Sequence, residues 1–121
     1  MTAPTFHKCG FCITRGKGFQ VTYENGITVS VQWGPGNYGD NRADSRTPME
    51  EPFYSSELAE VAIWEEAGHY ITGEVWQRIY KRKLGDIVVG WLSAEKVTRI
   101  LNYCARANAA NFNTGSESPG S

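Results

Sequence analysis

Residues 19–33 read FQVTYENGITVSVQW, and this stretch decides the fold. Apolar residues alternate with polar ones on both sides of Asn25-Gly26, giving two runs with the period of two that is typical of a half-buried strand. Asn and Gly both tolerate positive φ, and this pair between two alternating runs is the strongest short-range indication of a β-hairpin. The sequence therefore predicts two antiparallel strands joined by a tight turn at Asn25-Gly26.

Further strands are predicted after this hairpin. Residues 58–64 alternate in the same way, and the turn-like residues 65–68 predict that the chain returns as a strand over residues 69–72. Residues 86–92 are a short apolar run that predicts a buried strand. Residues 74–84 stay open between helix and strand, because their apolar residues pair at helical spacing although the stretch follows a turn.

The last element is predicted to be an amphipathic helix. Ser93 is a good N-cap, and Glu95 lies in the first turn, where the helix dipole favours an anion. Apolar residues then recur at intervals of three and four and define one stripe: Val97, Ile100, Leu101, Cys104 and Ala107. Hairpin strands followed by such a helix predict an α+β fold, in which an antiparallel β-sheet carries the C-terminal α-helix on one face.

The chain of 121 residues is long enough for one hydrophobic core and too short for two. We expect a single α+β domain over residues 17–110. Residues 1–16 are polar and broken by Pro and Gly, which predicts a flexible N-terminal arm or a ragged first strand. Residues 111–121 predict a disordered tail.

The composition excludes some functions and indicates a compartment. The chain has twelve Lys and Arg and thirteen Asp and Glu, which gives a net charge of −1. Because the surface as a whole is not basic, a nucleic-acid partner would have to bind a local basic patch. No apolar run approaches the roughly 18–20 residues of a membrane span, and the N-terminus lacks the features of a signal peptide. The three cysteines, an odd number, fit the reduced thiols of the cytosol. We therefore expect a cytoplasmic protein that does not bind a membrane.

Residues 34–39, GPGNYG, match the spacing G-x-G-x-x-G. A dinucleotide-binding fold also needs a helix that begins inside the motif and a parallel βαβ unit, and neither is predicted here. The glycines still predict exposed backbone N–H groups that cup an anion, with charge from Arg42 and Arg46 and an aromatic face from Tyr38. The alternative is a plain connecting loop.

The polar face of the last helix carries Arg99, Asn102 and Arg106 at intervals of three and four. Such a strip can hold a phosphate or carboxylate through charge-assisted hydrogen bonds, and Trp91, two residues before the helix cap, is a candidate aromatic wall beside it. A solvated helix face is the alternative. The predicted ligand-binding residues are Tyr38, Arg42, Trp91, Arg99 and Arg106.

A basic segment interleaved with aromatic residues spans residues 76–83. Its aromatic residues are Trp76 and Tyr80, and its basic residues are Arg78, Lys81, Arg82 and Lys83. Single-stranded nucleic acid binds such segments through phosphate contacts and base stacking. A solvated helix or hairpin with the same composition needs no partner, and this interpretation stays open.

Residues with metal-binding or catalytic chemistry are few. His7, Cys9, Cys12 and Cys104 would supply four zinc ligands, but one CxxC without a second pair argues against a metal site, and Cys104 lies on the apolar stripe. Motifs of nucleophilic or metal-dependent catalysis are missing, and neither a catalytic residue nor a cofactor is predicted. We expect a binding protein and not an enzyme; a small hydrolase that uses His69 with an acidic partner is the enzymatic alternative.

Three stretches carry a resemblance to a known family. Residues 20–38 (QVTYENGITVSVQWGPGNY), 59–64 (AEVAIW) and 89–97 (VGWLSAEKV) together resemble small bacteriophage proteins, and the family they resemble is the first type of Thoeris anti-defence sponge. The ligand-binding positions of that family do not map onto this chain residue by residue, so none is carried over. The chain departs from the pattern in its longer basic segment and in its cysteine-bearing N-terminal extension.

The resemblance implies a phage protein that works as a homo-oligomer in the host cytosol. It would sequester a nucleotide-derived immune signal, a cyclic ADP-ribose isomer or a cyclic oligonucleotide, without cleaving it. Capture of such a small phosphorylated nucleotide needs arginines for the phosphates and an aromatic plane for the base. The alternative is a phage inhibitor that docks on a host protein or nucleic-acid complex through residues 76–83.

Overall fold

The computed structural model of the chain describes residues 10–14, 17–43 and 55–108. Five strands and two helices follow one another along these residues. They are β1 (Gly10–Ile13), β2 (Gly18–Thr22), β3 (Thr28–Gln32), β4 (Leu58–Trp64), α1 (Thr72–Tyr80), β5 (Val88–Ser93) and α2 (Ala94–Arg106). The strands pair in the order β1-β2-β3-β4-β5 as one antiparallel sheet, and α2 packs on it, so the predicted α+β fold is confirmed.

The hairpin of β2 and β3 is confirmed, but its turn differs from the predicted one. The amide of Gly26 donates to the carbonyl of Tyr23 (2.9 Å), and the amide of Tyr23 donates to the carbonyl of Ile27 (2.9 Å). Of the turn residues only Gly26 has a positive φ, +88°. Residues 24–26 therefore form a three-residue loop in which glycine takes the left-handed position of a bulge.

Successive side chains along each strand point to opposite sides of the sheet, so one face is apolar and the other polar. The strand residues buried on the apolar face include Val21, Val29, Val31, Val61, Ile63 and Val89. Val29 in the middle strand lies opposite Val21 on one side and Ile63 on the other, so the apolar residues stack across the strands. On the polar face, the hydroxyl oxygens of Thr22 and Thr28 lie 2.7 Å apart and satisfy each other.

Helix α2 covers the apolar face as its sequence predicts. The hydroxyl of Ser93 accepts a hydrogen bond from the amide of Lys96 (3.3 Å), which confirms the N-cap. Val97, Ile100 and Cys104 are buried among the core residues of the strands. Because a fully buried aliphatic side chain contributes roughly 1.5–3 kcal/mol, this stripe holds α2 on the sheet.

The hairpin turn also caps the other end of α2. The Asn25 side-chain amide donates to the carbonyls of Cys104 and Ala107, each at 2.8 Å. Its carbonyl oxygen accepts from the amide of Ile27 (2.9 Å). One side chain thus satisfies two of the carbonyls that a helix leaves without partners at its C-terminus and fixes the turn at the same time.

The chain after β4 differs in part from the prediction. Residues 65–68 form the predicted turn, closed by a hydrogen bond from the amide of Gly68 to the carbonyl of Glu65 (2.8 Å). Residues 69–72 do not form the predicted strand. Their pairing with β4 is a single bridge between Tyr70 and Trp64.

Thr72 explains why the returning strand is wrong. Its hydroxyl accepts from the amide of Ile63 (2.9 Å) and donates to the carbonyl of Ile87 (2.6 Å), so the side chain binds β4 where a strand would use its backbone. The backbone is then free to turn, and α1 begins at Thr72. Residues 74–84, which the sequence left open, are helical as far as Tyr80.

The predicted strand over residues 86–92 is present, but its burial is uneven. Val89 and Leu92 are buried, whereas Ile87 is 49% and Trp91 53% exposed. The prediction that this whole strand is buried is therefore wrong at Ile87 and Trp91. The exposure of Trp91 comes from a bulge in β5, which is described below.

The ends of the chain are described only in part. Within the predicted arm, residues 10–13 form β1, which pairs with β2. Residues 1–9 and 15–16, and the predicted tail at residues 111–121, lie outside the described residues. Neither helix in the described part of the chain has the length and apolar character that a membrane crossing requires.

Replacing Asn25 by Asp should destabilise the fold. The carboxylate keeps the size of the side chain and its acceptor, but it cannot donate to the two carbonyls at the end of α2. We expect the free energy of unfolding to fall by about 1–3 kcal/mol, measured by urea denaturation at pH 7. The exposed neighbour Glu24 is the control: E24Q should leave stability within about 0.5 kcal/mol, and equal stability of N25D and wild type would contradict the capping role.

The buried thiol of Cys104 predicts a loss of stability in alkaline solution. Burial raises the pKa of Cys104 to about 12, whereas the thiol of the unfolded chain ionises near about 8.5. This thiol therefore stabilises the fold fully below the unfolded pKa, and its contribution is lost as pH rises toward the folded pKa. Urea unfolding between pH 8 and 9.5 should show a downward slope that C104A lacks; parallel pH profiles of the two proteins would contradict the assignment.

Candidate functional site

A bulge in β5 sets up the most distinctive local geometry in the described chain. The register of β4 and β5 shifts between Ala59 and Val61, so that Gly90 and Trp91 together lie opposite Glu60. Trp91 takes a φ of +57°. A non-glycine residue in this region costs on the order of 1–3 kcal/mol, and such residues concentrate at functional sites.

The loop after β3 holds this bulge in place. The amide of Trp91 donates to the carbonyl of Tyr38 (2.9 Å), and the amide of Tyr38 donates to the carboxylate of Glu60 (2.9 Å). Gly90 lets the two segments approach, because a Cβ at this position would overlap the Cβ of Tyr38. Loop and bulge therefore interlock through one main-chain hydrogen bond, the carboxylate of Glu60 and the close contact at Gly90.

The interlock brings three of the predicted ligand-binding residues together. The guanidinium carbon of Arg42 lies 4.7 Å from the centroid of the Tyr38 ring, and the rings of Tyr38 and Trp91 are 6.4 Å apart with a tilt of 31°. We call Tyr38, Arg42 and Trp91 the aromatic corner. It borders an open depression of about 440 Å³ lined by Gly36, Gly39, Asp40, Arg42, Ala43 and Trp91.

The predicted cup of glycine-loop amides is wrong, because the loop uses its amides internally. Gly36 donates to the carbonyl of Arg42, and Arg42 donates to the carbonyl of Gly39, each at 3.1 Å. The buried side chain of Asn37 accepts from the amide of Gly34 (3.1 Å). The amides of Asn37 and Tyr38 also donate within the protein. The Arg42 side chain supplies positive charge at the corner, and Arg46, which was also predicted to contribute, lies outside the described residues.

Arg99 and Arg106 lie away from the aromatic corner. Val89 points into the core under α2, so the next residue, Gly90, faces the opposite side of the sheet, where it contacts Tyr38. Helix α2 and its arginines are on the other side. Arg106 borders a separate depression of about 450 Å³ together with Asn102.

Trp91 does not form the predicted wall beside the helix strip, since its ring lies at Tyr38. Arg99 instead stacks on an aromatic residue of α1: its guanidinium carbon is 5.0 Å from the centroid of the Tyr80 ring. Tyr80 in turn packs against Trp76, with ring centroids 4.3 Å apart. The basic segment at residues 76–83 therefore gains a further cation from α2.

The sequence-based prediction of the site did not include Glu60 and Gly90. A glycine inside an apolar strand pattern indicates a close backbone approach or a bulge, and this signal was available at Gly90. The role of Glu60 depends on the register between two strands that are distant in sequence, and nothing local indicates it.

His69, the one histidine in the described part of the chain, is paired with a carboxylate. His69 Nδ1 lies 3.2 Å from Glu65 Oε1, which also accepts from the His69 amide (3.0 Å), so this pair closes the turn after β4. In the described residues, no three His, Cys, Asp or Glu side chains group as metal ligands. His7 and Cys9 lie outside them.

Comparison of the chain with protein-family models, curated proteins and solved structures finds no match. The aromatic corner is the part of the described chain in which an arginine, an exposed indole and a strained backbone coincide.

Replacing Gly90 by Ala should break the interlock. The added Cβ overlaps Tyr38, so the loop has to move away from β5, and we expect a loss of about 1–3 kcal/mol in the free energy of unfolding. Gly85 is the matched control, since a Cβ there meets nothing within 4 Å. Thermal and urea denaturation of G85A should resemble wild type, and an equally stable G90A would contradict the contact.

Proposed function

We propose that this protein binds a phosphorylated nucleotide ligand at the aromatic corner. In this proposal the indole of Trp91 stacks on the base, and the guanidinium of Arg42 binds a phosphate. The observation that carries it is the convergence of Arg42, Tyr38 and Trp91 from two separate segments at a bulge with a strained tryptophan.

The backbone strain at Trp91 supports a binding role. A tryptophan that is 53% exposed gains little from burial, and its positive φ costs free energy. The hydrogen bond from the Trp91 amide to the Tyr38 carbonyl nevertheless fixes the backbone, and the ring of Tyr38 lies beside the indole. A fixed, exposed indole loses little conformational freedom when a flat ligand stacks on it, and this favours binding.

Arg42 supplies the charge that such a ligand requires. Its guanidinium lies over the ring of Tyr38, so the side chain is already oriented beside the depression. Arginine binds phosphate through paired hydrogen bonds, and stacking on an aromatic ring leaves its edge available for them. The corner thus offers one surface for a base and one for a phosphate.

We propose sequestration without cleavage as the biological role, which is the role of the sponges that the sequence resembles. The ligand would be a nucleotide-derived immune signal, a cyclic ADP-ribose isomer or a cyclic oligonucleotide. The protein would act in the host cytosol as a homo-oligomer. The corner is open, and a second copy over it would exclude water from the bound ligand.

A specific observation favours docking through residues 76–83 as the second candidate function. Lys81, Arg82 and Lys83 are exposed, and none of them is paired with a carboxylate in the described part of the chain. With Arg99 on the ring of Tyr80, they form a basic surface on the side of the sheet that carries the helices. An acidic protein or a nucleic acid would complement this surface.

Substitutions in the corner should weaken ligand uptake. Titration calorimetry with cyclic ADP-ribose isomers and cyclic oligonucleotides measures binding, and chromatography of the supernatant after heating shows whether the ligand returns intact. R42A removes a charged hydrogen bond to phosphate, about 1.5–3 kcal/mol, so affinity should fall roughly 10- to 150-fold. W91A removes stacking, about 1–3 kcal/mol, or roughly 5- to 150-fold.

R99A and R106A are the matched controls, since each removes one arginine far from the corner and should bind as wild type does. Undiminished uptake by both R42A and W91A would contradict the site. A chemically altered ligand after heating would indicate an enzyme. Binding of a single-stranded oligonucleotide that is retained in R42A and lost in K81A/R82A/K83A would favour the docking alternative.

A further inference from the structure

Strand β1 is a free edge of the sheet in the described structure. The amide of Thr14 points toward β2, where it donates to the carbonyl of Gly18 (3.1 Å). Because backbone groups alternate in direction along a strand, the amides and carbonyls of Phe11 and Ile13 point away from β2. They form a short row of donors and acceptors open to another strand.

The side chains of this edge are apolar and exposed. Phe11 is 82% and Ile13 80% exposed, the highest fractions among the large apolar residues of the described chain. Phe11 lies opposite Val21 and Ile13 opposite Phe19, so both extend the apolar face of the sheet. The helices do not cover this extension, since α2 packs on β3, β4 and β5, and α1 on β4 and β5.

The edge lacks the features that keep free edges apart. Natural sheets protect an edge strand with a lysine, a proline, a bulge or an inward-pointing charge. Residues 10–13, GFCI, contain neither charge nor proline, and they pair with β2 in an unbroken register. An edge that is open in its backbone and apolar in its side chains is complementary to a second strand of the same kind.

We propose that β1 pairs with β1 of a second copy of this chain, antiparallel about a two-fold axis at Cys12. This register places Phe11 opposite Ile13 of the second copy, and the two residues exchange both main-chain hydrogen bonds. The same pair recurs on the other side of the axis, as a two-fold interface requires. The outward-directed groups of both edges are then satisfied, and four apolar side chains meet on one face.

The sequence of the edge favours a second copy over another partner. Its apolar side chains stand at positions 11 and 13, symmetric about Cys12, so a single register satisfies both strands equally. The absence of charge on β1 gives an acidic or basic partner nothing to recognise. Because the strand is four residues long, we expect a dimer that depends on concentration and not an obligate one.

Sedimentation velocity of the full chain over a range of concentrations tests the pairing. We expect the apparent mass to rise from one chain to two with concentration in wild type. I13K places a charge on the free edge and should remain monomeric at every concentration. I87K is the matched control, because Ile87 is also exposed but lies outside β1, and it should dimerise as wild type does.

Oxidative cross-linking tests the register. Cys12 would face Cys12 of the second copy in a non-hydrogen-bonded pair, with Cα atoms about 4.5 Å apart, which suits a disulfide. In a C9S background, mild oxidation should give a dimer linked through Cys12, located by mass spectrometry. With C9S/C12S/Q20C the linkage should be lost, because position 20 lies on β2 and three strand spacings, roughly 14 Å, would separate the two copies of the new cysteine.

A monomer at all concentrations would overturn the proposal, and so would a dimer that survives I13K with its circular dichroism unchanged. A disulfide that forms equally well through position 20 would overturn the register. The edge pairing rests on the proposed homo-oligomer and not on the proposed ligand. Nucleotide uptake by a strictly monomeric protein would therefore remove both the edge pairing and the oligomer, and would leave the ligand site at the aromatic corner in place.

Discussion

One main-chain hydrogen bond, from the amide of Trp91 to the carbonyl of Tyr38, joins the loop after β3 to the bulge of β5. The bulge by itself would put a tryptophan in a backbone conformation that it disfavours, and the loop by itself has no apolar core to hold it. Together they fix each other, because Gly90 leaves room for Tyr38 and the carboxylate of Glu60 takes the Tyr38 amide. The aromatic corner exists because this contact exists.

The predicted ligand-binding residues lie on two different faces of the sheet. The apolar face needs helices over it, so α2 and its arginines lie on that side. The polar face needs no helix, and the glycine-containing loop reaches Gly90 there. Arg99 and Arg106 therefore belong to the helical surface, where Arg99 meets Tyr80. Within one chain, this layering separates Arg99 and Arg106 from the other three predicted residues.

The sequence predicted those strands and helices that are determined by residues close to one another in the chain. The alternation around Asn25-Gly26 predicts the hairpin, and Ser93 with the stripe behind it predicts α2, because the period of a strand or helix is visible within a dozen residues. Even there, the turn differs: the Asn25 side chain binds the far end of α2, and only Gly26 takes a positive φ. That contact spans about eighty residues and leaves no local trace.

The remaining differences arise from contacts between distant segments. The sequence predicted Thr72 as the end of a strand. In the structure its hydroxyl binds β4 and the segment before β5, and a helix begins there instead. Trp91 reads as buried because its neighbours are apolar, and the register shift against β4 turns it outward. The sequence predicted Tyr38, Arg42 and Trp91 as ligand-binding residues one by one, and their proximity follows from the fold.

In the proposed function, a phosphorylated, adenine-bearing molecule binds at the aromatic corner. Titrating ADP-ribose into isotopically labelled protein and following its NMR spectrum tests this directly. We expect the largest chemical-shift changes at the Trp91 indole N–H and the Arg42 guanidinium. Changes confined to α2 and residues 76–83, with the Trp91 indole signal unmoved, would contradict this proposal.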